Sequence, residues 1–557
     1  MSTRVRACLL AVCAALAFSP AYADDVIKPY FEFKKPKMIE IPGDLSLDQN
    51  GAALPGFGGY SANAVSLGLS FEGITQYDGA LFGRNFIPPD TMGAIGKTQY
   101  LETSNGSYGV FDKATGARLS VVSDVAWWAT AGQTGTNGDS RVMYNAAADR
   151  WIVIAFGANA KDIQIAVSDT SNALGGWKST KFEGYAGFGF GATADYPTLA
   201  LDKNAVYIGT NNFAPASAGG ANSFRGTTLN VIPLDSLFNA GLPTTTNIKQ
   251  FVTPYPGALE DRGFAIQGVN SSAAGSTGKV VSASLFNFDN LAYTVNGLTS
   301  SSATGSSRGV VTFFGESAFA SPIAAHQPSV AIPANRAIVD ALDERISASV
   351  YEVNGRIYGV HTVKPAGSAE DRVRWFVLDA TTFALLAEGD IGEAGFDYYQ
   401  GSIAVNPFGQ VVIAYNRSSI LDPGGVISIM ARTFTTRYDG YLAQWGDEIL
   451  IKESLTDDYH NGSLFGQPAA GRQRWGDYSA VSLDPEDDSA FWIIGEFARE
   501  YNSPQFGHPG GTGGSRWGTW IAELDFAPVP EPATWSLLVF GCLGYAVRRR
   551  RVPAAPA

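Results

Sequence analysis

The sequence predicts an all-β protein, a β-propeller of about seven four-stranded blades, or six if one weak frame near Arg262 or Arg345 is an insertion. A recurring frame is the first observation behind this. Asp195-Tyr196-Pro197-Thr198-Leu199-Ala200-Leu201-Asp202 leads through a polar turn into Val206-Tyr207-Ile208-Gly209-Thr210-Asn211. Small and apolar residues alternate in the first half, and aromatic and β-branched residues fill the second, the pattern of a strand, a tight turn and a second strand. The frame returns at Asp477-Tyr478-Ser479-Ala480-Val481, with Ala490 to Gly495 as its second strand. Looser copies open at Asp90, Asp139, Arg262, Arg345 and Gln400. One supersecondary unit repeated in this way cannot bury both its faces alone, and stacking radially gives each copy a neighbour. The second observation is composition. Gly is 63 of 557 residues and charged residues are only 16%, which suits many short strands joined by Gly-rich turns. No stretch carries long helical periodicity.

Taken in order, Met1 to Ala23 has the parts of a secretory signal. Arg4 and Arg6 charge its start, Ala7 to Phe18 is apolar, and Ala21 and Ala23 frame a small-x-small cleavage site for signal peptidase. The apolar run is too short for a lasting anchor. Residues 24–85 read as an extended lead-in, in which Leu67-Gly68-Leu69-Ser70-Phe71 is a strand able to join the sheet system. The propeller is expected over 86–527. Its frames are separated by 49, 56, 67, 83, 55 and 77 residues, and a blade takes roughly 40–50. The longer gaps must hold insertions, with Ala214 to Asn222, Asn296 to Gly309 and Tyr438 to Arg472 as candidates.

Residues 528–551 form a second targeting segment, followed by a cytoplasmic tail at 552–557. Pro530-Glu531-Pro532 precedes the apolar run Ala533 to Val547, which ends in Arg548, Arg549, Arg550 and Arg551. This arrangement resembles the PEP-CTERM sorting signal of Gram-negative bacteria that secrete exopolysaccharide. The resemblance implies recognition by exosortase, a membrane transpeptidase-like enzyme, and processing for export. The physics agrees: four arginines hold the end of a short hydrophobic helix on the cytoplasmic side while the leader sends the body across. Fifteen apolar residues make only ~22 Å of helix, short of a ~30 Å hydrocarbon core. A span this marginal suits a transient anchor, after which the protein belongs at the cell surface or outside the cell.

The stretch Ile165-Ala166-Val167-Ser168-Asp169-Thr170 to Trp177 resembles an Asp-box, the hairpin motif of sialidase-like propellers. It departs from that pattern at Asn172-Ala173-Leu174-Gly175 and bears on the fold more than on activity. The body also resembles secreted bacterial proteins with Pro-Pro-Asp-x-x-Gly-Ala near the start and Trp-Gly-Asp-Tyr-Ser near the end, here Pro88 to Ala94 and Trp475 to Ser479.

Composition narrows the chemistry. The formal charge is −13 with no basic stripe, so nucleic acid is not an expected partner. Cys8 and Cys13 lie in the leader and Cys542 in the tail segment, leaving the body without a disulfide or thiolate metal site. His326, His361, His460 and His508 stand far apart and read as isolated loop or strand residues rather than ligands. Gly187 to Ala192 formally fits a dinucleotide fingerprint, but Asp195-Tyr196-Pro197 follows it instead of a helix. Arg84, Arg141, Arg262, Arg345, Arg417 and Arg474 could supply a sialidase arginine cluster, but the Arg-Ile-Pro signature is missing, and a surface role is expected for most of them. Asp484 to Asp488 and Asp457-Asp458 read as solvated turns; calcium is the one cofactor that an acidic exported chain still admits.

The frame-opening carboxylates are the candidate site. If each opens the innermost strand of its blade, Asp90, Asp139, Asp195 and Asp477 surround one mouth of the channel, with Tyr196 and Tyr478 beside them, as a binding face for a cation or a sugar. The competing reading has each Asp capping its own turn. Two functions follow. One is a non-catalytic surface or matrix protein that binds exopolysaccharide or another envelope component, with Trp127, Trp128, Trp517 and Trp520 available for stacking on sugars. The alternative is a sialidase-like glycoside hydrolase or lyase, which needs two carboxylates ~5–9 Å apart in a cleft.

Overall fold

Seven blades of antiparallel strands follow one another along the chain, and each begins at one of the recurring frames. The computed structural model describes residues 65–526 apart from 159, 185–192, 215–223, 240, 256–259, 274, 276, 323, 329–337, 422, 437–441, 458, 460–472 and 502–514. The leader, the lead-in as far as residue 64, the sorting segment, His460, His508 and the Gly187 to Ala192 stretch lie outside the described residues.

Blade 1 runs outward from Met92–Ile95 through Gln99–Ser104 and Ser107–Asp112 to Arg118–Ser123. Blade 2 is Thr136–Asn145, Arg150–Gly157, Asp162–Ser168 and Trp177–Glu183, and its last hairpin is the Asp-box-like stretch. In blade 3 the inner edge is broken into Thr193–Asp195 and Ala200–Leu201, which both pair with Ala205–Phe213. Blade 4 starts with Phe264–Ser271 and blade 5 with Val350–Val353. These two inner strands pair in parallel, Val269 against Val350 to Ser271 against Glu352, and fuse the two blades into one sheet. Blade 6 starts with Asp397–Val405. Blade 7 comprises Ala480–Leu483, Ala490–Tyr501 and Ser515–Phe526, and its outermost strand is Val65–Thr75 from the other end of the chain. The strand expected at Leu67 to Phe71 therefore closes the ring.

Packing follows from the pattern of the frames. The inner strands carry small and aliphatic side chains because they crowd together around the axis. The second and third strands fill the wedges between blades. Ile152, Ile154, Ile163 and Ile165 of blade 2, for example, meet Val206, Ile208 and Ile232 of blade 3. Comparable clusters join blades 3 and 4, 4 and 5, 5 and 6, and 6 and 7.

The insertions only partly match expectation. Tyr438 to Arg472 carries the outer strands of blade 6, Leu442–Trp445 and Ile449–Glu453, and the Asn296 to Gly309 tract turns back into the short edge strand Ser307–Arg308. Most of the extra length between Arg262 and Arg345 lies instead after Phe313, where Ala325–His326 pairs with Ile338–Val339. That ladder, with Gln473 bonded to Ile338 and Asp340, forms a cap over blades 6, 7 and 1. Ile87, Val339, Tyr399, Tyr459, Trp475 and Trp517 make its apolar core.

Ring closure has a charged latch. Glu102 of blade 1 is fully buried. Its carboxylate accepts from the Ile74 amide of the closing strand at 2.9 Å and from the Thr519 hydroxyl of blade 7 at 2.7 Å. Gly73 makes room for it, since a Cβ there would collide with the Glu102 and Thr519 side chains. Burial raises the Glu102 pKa to about 7, against the lowering effect of these two hydrogen bonds and of Arg118. A carboxyl raised above its unfolded value binds more protons folded than unfolded. The stability it confers is complete below about pH 4.5 and is lost as pH climbs through about 7. The neutral acid also fits the site, because Thr519 can accept its proton and donate in turn to the Ile74 carbonyl at 2.9 Å. Glu102→Gln is therefore expected to flatten the fall in unfolding free energy between pH 4.5 and 7, a change of about 2–3 kcal/mol. Urea titrations at several pH values check it, and parallel profiles for the two proteins would contradict it.

Candidate functional site

At the start of the inner strands the backbone makes a repeated kink. Asp90, Asp139, Tyr196, Ala265 and Gln400 take φ between 44° and 55°, in five different blades. This left-handed region is uncommon for residues other than glycine. The sheet pairing also slips here, between Gly138 and Arg141, Phe264 and Gln267, and Tyr399 and Ser402, as a β-bulge requires. A bulged residue leaves its backbone amide unpaired in its own sheet, and a buried amide must find an acceptor.

For three of the five the preceding blade supplies it. Asn105 of blade 1 accepts from the Asp139 amide at 2.9 Å, Asn211 of blade 3 from Ala265 at 3.0 Å, and Thr362 of blade 5 from Gln400 at 3.3 Å. Between blades 7 and 1 the direction reverses, with the Asp477 amide donating to Asp90 at 2.8 Å. The other seams have different ties, and that between blades 4 and 5 lies toward the far end of the inner strand. Arg141 Nε donates to the Pro197 carbonyl at 2.9 Å, Asn270 to the Val350 carbonyl at 3.1 Å, and the Ser479 hydroxyl to the Gln400 carbonyl at 2.8 Å.

The sequence-predicted residues are thus brought together, though not on an open rim. Asp90, Asp139 and Asp477 are 2%, 4% and 7% exposed, and Tyr196 and Tyr478 are buried. Asp90 accepts from Asn105 at 2.6 Å as well as from Asp477, and Tyr478 donates to Asp139 at 3.3 Å. The Asp477–Asp90 and Tyr478–Asp139 bonds cross between blades, whereas Asn105 holds Asp90 within blade 1, so capping of each residue's own turn is not the general role; Asp195 accepts from the next residue's amide, that of Tyr196. Two arginines expected at the surface sit in the same core. Arg141 lies over the Tyr478 ring, 3.5 Å from its centroid, and Arg345 over Tyr196 at 4.3 Å, while the two tyrosine rings meet edge to face at 5.0 Å. Arg345 is paired with Asp343, and Arg474 with Asp340 and Asp477. Arg262 is buried too.

Burial is the first cause of every shift here. It raises Asp90, which Asp477 and Asp139 raise further, and it raises Asp139, which Asp195 and Asp477 raise further. Asp195 is raised to about 6, with Arg345 and the Tyr196 amide pulling the other way. The Tyr196 and Tyr478 hydroxyls are pushed up, despite the arginines beside them. That direction is opposite to what a phenoxide nucleophile requires. Among the described residues, no three His, Cys, Asp or Glu are grouped to hold a metal ion.

Other expectations change as well. His361 is not isolated: its Nε2 meets Glu316 at 3.1 Å inside blade 5. His326 of the cap holds Asp397 of blade 6 at 2.7 Å. Asp484 is buried rather than solvated and takes Lys113 at 2.6 Å and the Trp492 indole at 3.1 Å. Trp127, Trp128 and Trp517 are buried in the core, and Trp520 is partly covered. The residues missed by sequence reading are the acceptors Asn105, Asn211 and Thr362.

No curated protein sequence matches the chain. Among solved structures it is similar to a protein of unknown function from Dyadobacter fermentans, at 10% identity over 79% of this chain and 94% of that one, with a TM-score of 0.35. It is also similar to Trypanosoma rangeli sialidase, at 12% identity over 73% of this chain and 57% of that one, with a TM-score of 0.31. A polysaccharide lyase of family PL25, an ulvan lyase, is similar at 10% identity over 72% of this chain and 88% of that one, with a TM-score of 0.34. Likenesses at this level assign no activity. No helix among the described residues is long and apolar enough to cross a membrane. Residues 528–551 match the PEP-CTERM protein-sorting motif, and that motif implies an exported protein sorted at the membrane by exosortase toward the cell surface.

Proposed function

We propose that the propeller is a non-catalytic binding module for exopolysaccharide or another envelope component, transiently anchored by its C-terminal segment and then released to the cell surface or matrix. The observation that carries this reading is the use made of the channel carboxylates. Asp90, Asp139 and Asp477 are buried, and their carboxylates are engaged by the Asp477 amide and Asn105, by Tyr478, and by Arg474, which supports a scaffold more than a reaction centre. Glycoside hydrolysis calls for an acid and a second carboxylate flanking an accessible bond. The alternative, a sialidase-like hydrolase or lyase, draws on the gathering of Arg141 and Arg345 about Tyr196 and Tyr478. Against it stand the burial of all four side chains and the raised tyrosine hydroxyls.

The test is a glycan and polysaccharide binding array on the exported protein, with turnover assays on the same glycans, each with and without calcium. Binding without turnover, and without a calcium requirement, is expected. Release of reducing ends or unsaturated uronates would overturn the reading in favour of the enzyme. Calcium-dependent binding would return the carboxylate ring to the centre of the account.

A further inference from the structure

The end of the disc at which the inner strands start also carries an aromatic outcrop. In blade 4, Phe264 pairs with Ala283 and Ala283 with Asn290, so the loop between Ala283 and Asn290 stands at that end. Phe286 and Phe288 on this loop are 46% and 45% exposed. Phe286 stacks on Tyr255 of the adjoining blade, with centroids 6.1 Å apart and planes at 28°, and Phe288 meets Phe319 at 6.1 Å. The two rings lean toward opposite seams of the same blade.

The loop is held rigid from below. Buried Asp261 accepts from the Ser284 hydroxyl at 2.6 Å and the Leu285 amide at 3.0 Å. Ser284 accepts in turn from the Phe286 and Asn287 amides at 3.1 and 2.9 Å, and Asp289 from the Asn290 and Gly315 amides at 2.8 and 3.1 Å. Two phenylalanines are thus held in a fixed posture with about half of each ring exposed, apolar area whose cover by a ligand is favourable.

Three arguments identify the ligand. A bilayer belongs at the other end: Val65 pairs with Phe526, Leu67 and Phe491 both pair with Leu524, and Phe491 pairs with Leu483, the last residue of its inner strand. Val65 and Phe526, the first and last described residues, therefore lie at the face opposite the outcrop, and the sorting motif starts at residue 528. A protein partner needs roughly 800 Å² per side, whereas two half-exposed phenylalanine rings offer on the order of 200 Å². Separate flat rings among hydrogen-bonding groups, Asn287 and the Tyr255 hydroxyl, suit the alternating C–H and O–H faces of pyranose rings. We propose that the Phe286–Phe288 loop with Tyr255 is a stacking platform for a glycan chain, a site that rests on the binding reading above and gives it a place.

The experiment uses the full-length exported protein with cellohexaose, laminarihexaose and hexamannuronate as probes, and vesicles of phosphatidylethanolamine and phosphatidylglycerol as a control. Phe286→Ala with Phe288→Ala is expected to weaken hexasaccharide binding about tenfold or more, with unfolding still cooperative and its midpoint only modestly lowered, because about half of each ring is exposed. Phe286→Trp with Phe288→Trp should preserve binding. Glycan binding that survives the double alanine variant would overturn the platform and leave the binding reading standing. No binding of any hexasaccharide by the unsubstituted protein would remove both. Vesicle binding lost with the two rings would identify lipid as the partner and overturn the proposal.

Discussion

A ring of seven blades holds only if every neighbouring pair is fastened, because one open seam exposes two wedge faces and a pair of strand edges. Here the fastening is done at the narrowest radius. The kinked residue that opens an inner strand turns its amide away from its own sheet, and a side chain of the blade before it accepts the bond, as Asn105 does from Asp139 and Asn211 from Ala265. The left-handed backbone at these positions costs on the order of 1 kcal/mol or more apiece. The inter-blade bonds, made between buried groups, offset that cost. Closing the circle then needs one strand from the far end of the chain, Val65–Thr75, and the Glu102 latch sits where that strand arrives.

The same arrangement explains why so many charges are buried at the axis. A carboxylate is a strong acceptor of two or more amides or hydroxyls, and Asp90 serves Asp477 and Asn105 at once. Desolvation opposes the charge and raises the affinity of these groups for protons. Arginine lying flat on tyrosine, as Arg141 does on Tyr478, offsets part of that penalty while filling the channel. A channel packed in this way transmits rigidity to the rim, where a loop such as Ala283 to Asn290 can hold rings in a fixed posture.

Much of the architecture was legible in the chain. Repetition of one strand–turn–strand frame gave seven starts, and all seven open a blade. The short run at Leu67 to Phe71 announced the closing strand. The site was legible only in part. Asp90, Asp139, Asp195 and Asp477 could be grouped by their place in the frame, although the kinked position of Asp90 and Asp139 falls on Tyr196, one residue after Asp195. The burial of Asp90, Asp139 and Asp477 could not be read, because it depends on which side chains of other blades reach the axis. Arg141 and Arg345 were misjudged for the same reason: an arginine reads as a surface residue until its partners, here two tyrosine rings, Pro197 and Asp343, are known to converge on it. The exposed Phe286 and Phe288 sit in an alternating run that reads like any strand.

The central claim is that the polar groups of the channel hold the ring together while recognition takes place at the rim. Asn105→Ala tests it most directly, since Asn105 binds both Asp90 and the Asp139 amide. The measurement is the urea unfolding free energy beside the dissociation constant for a bound hexasaccharide. The account predicts a loss of about 2–5 kcal/mol from buried groups left unpaired, with the dissociation constant unchanged. A stability left intact together with lost glycan binding would contradict it and make the channel itself the binding site.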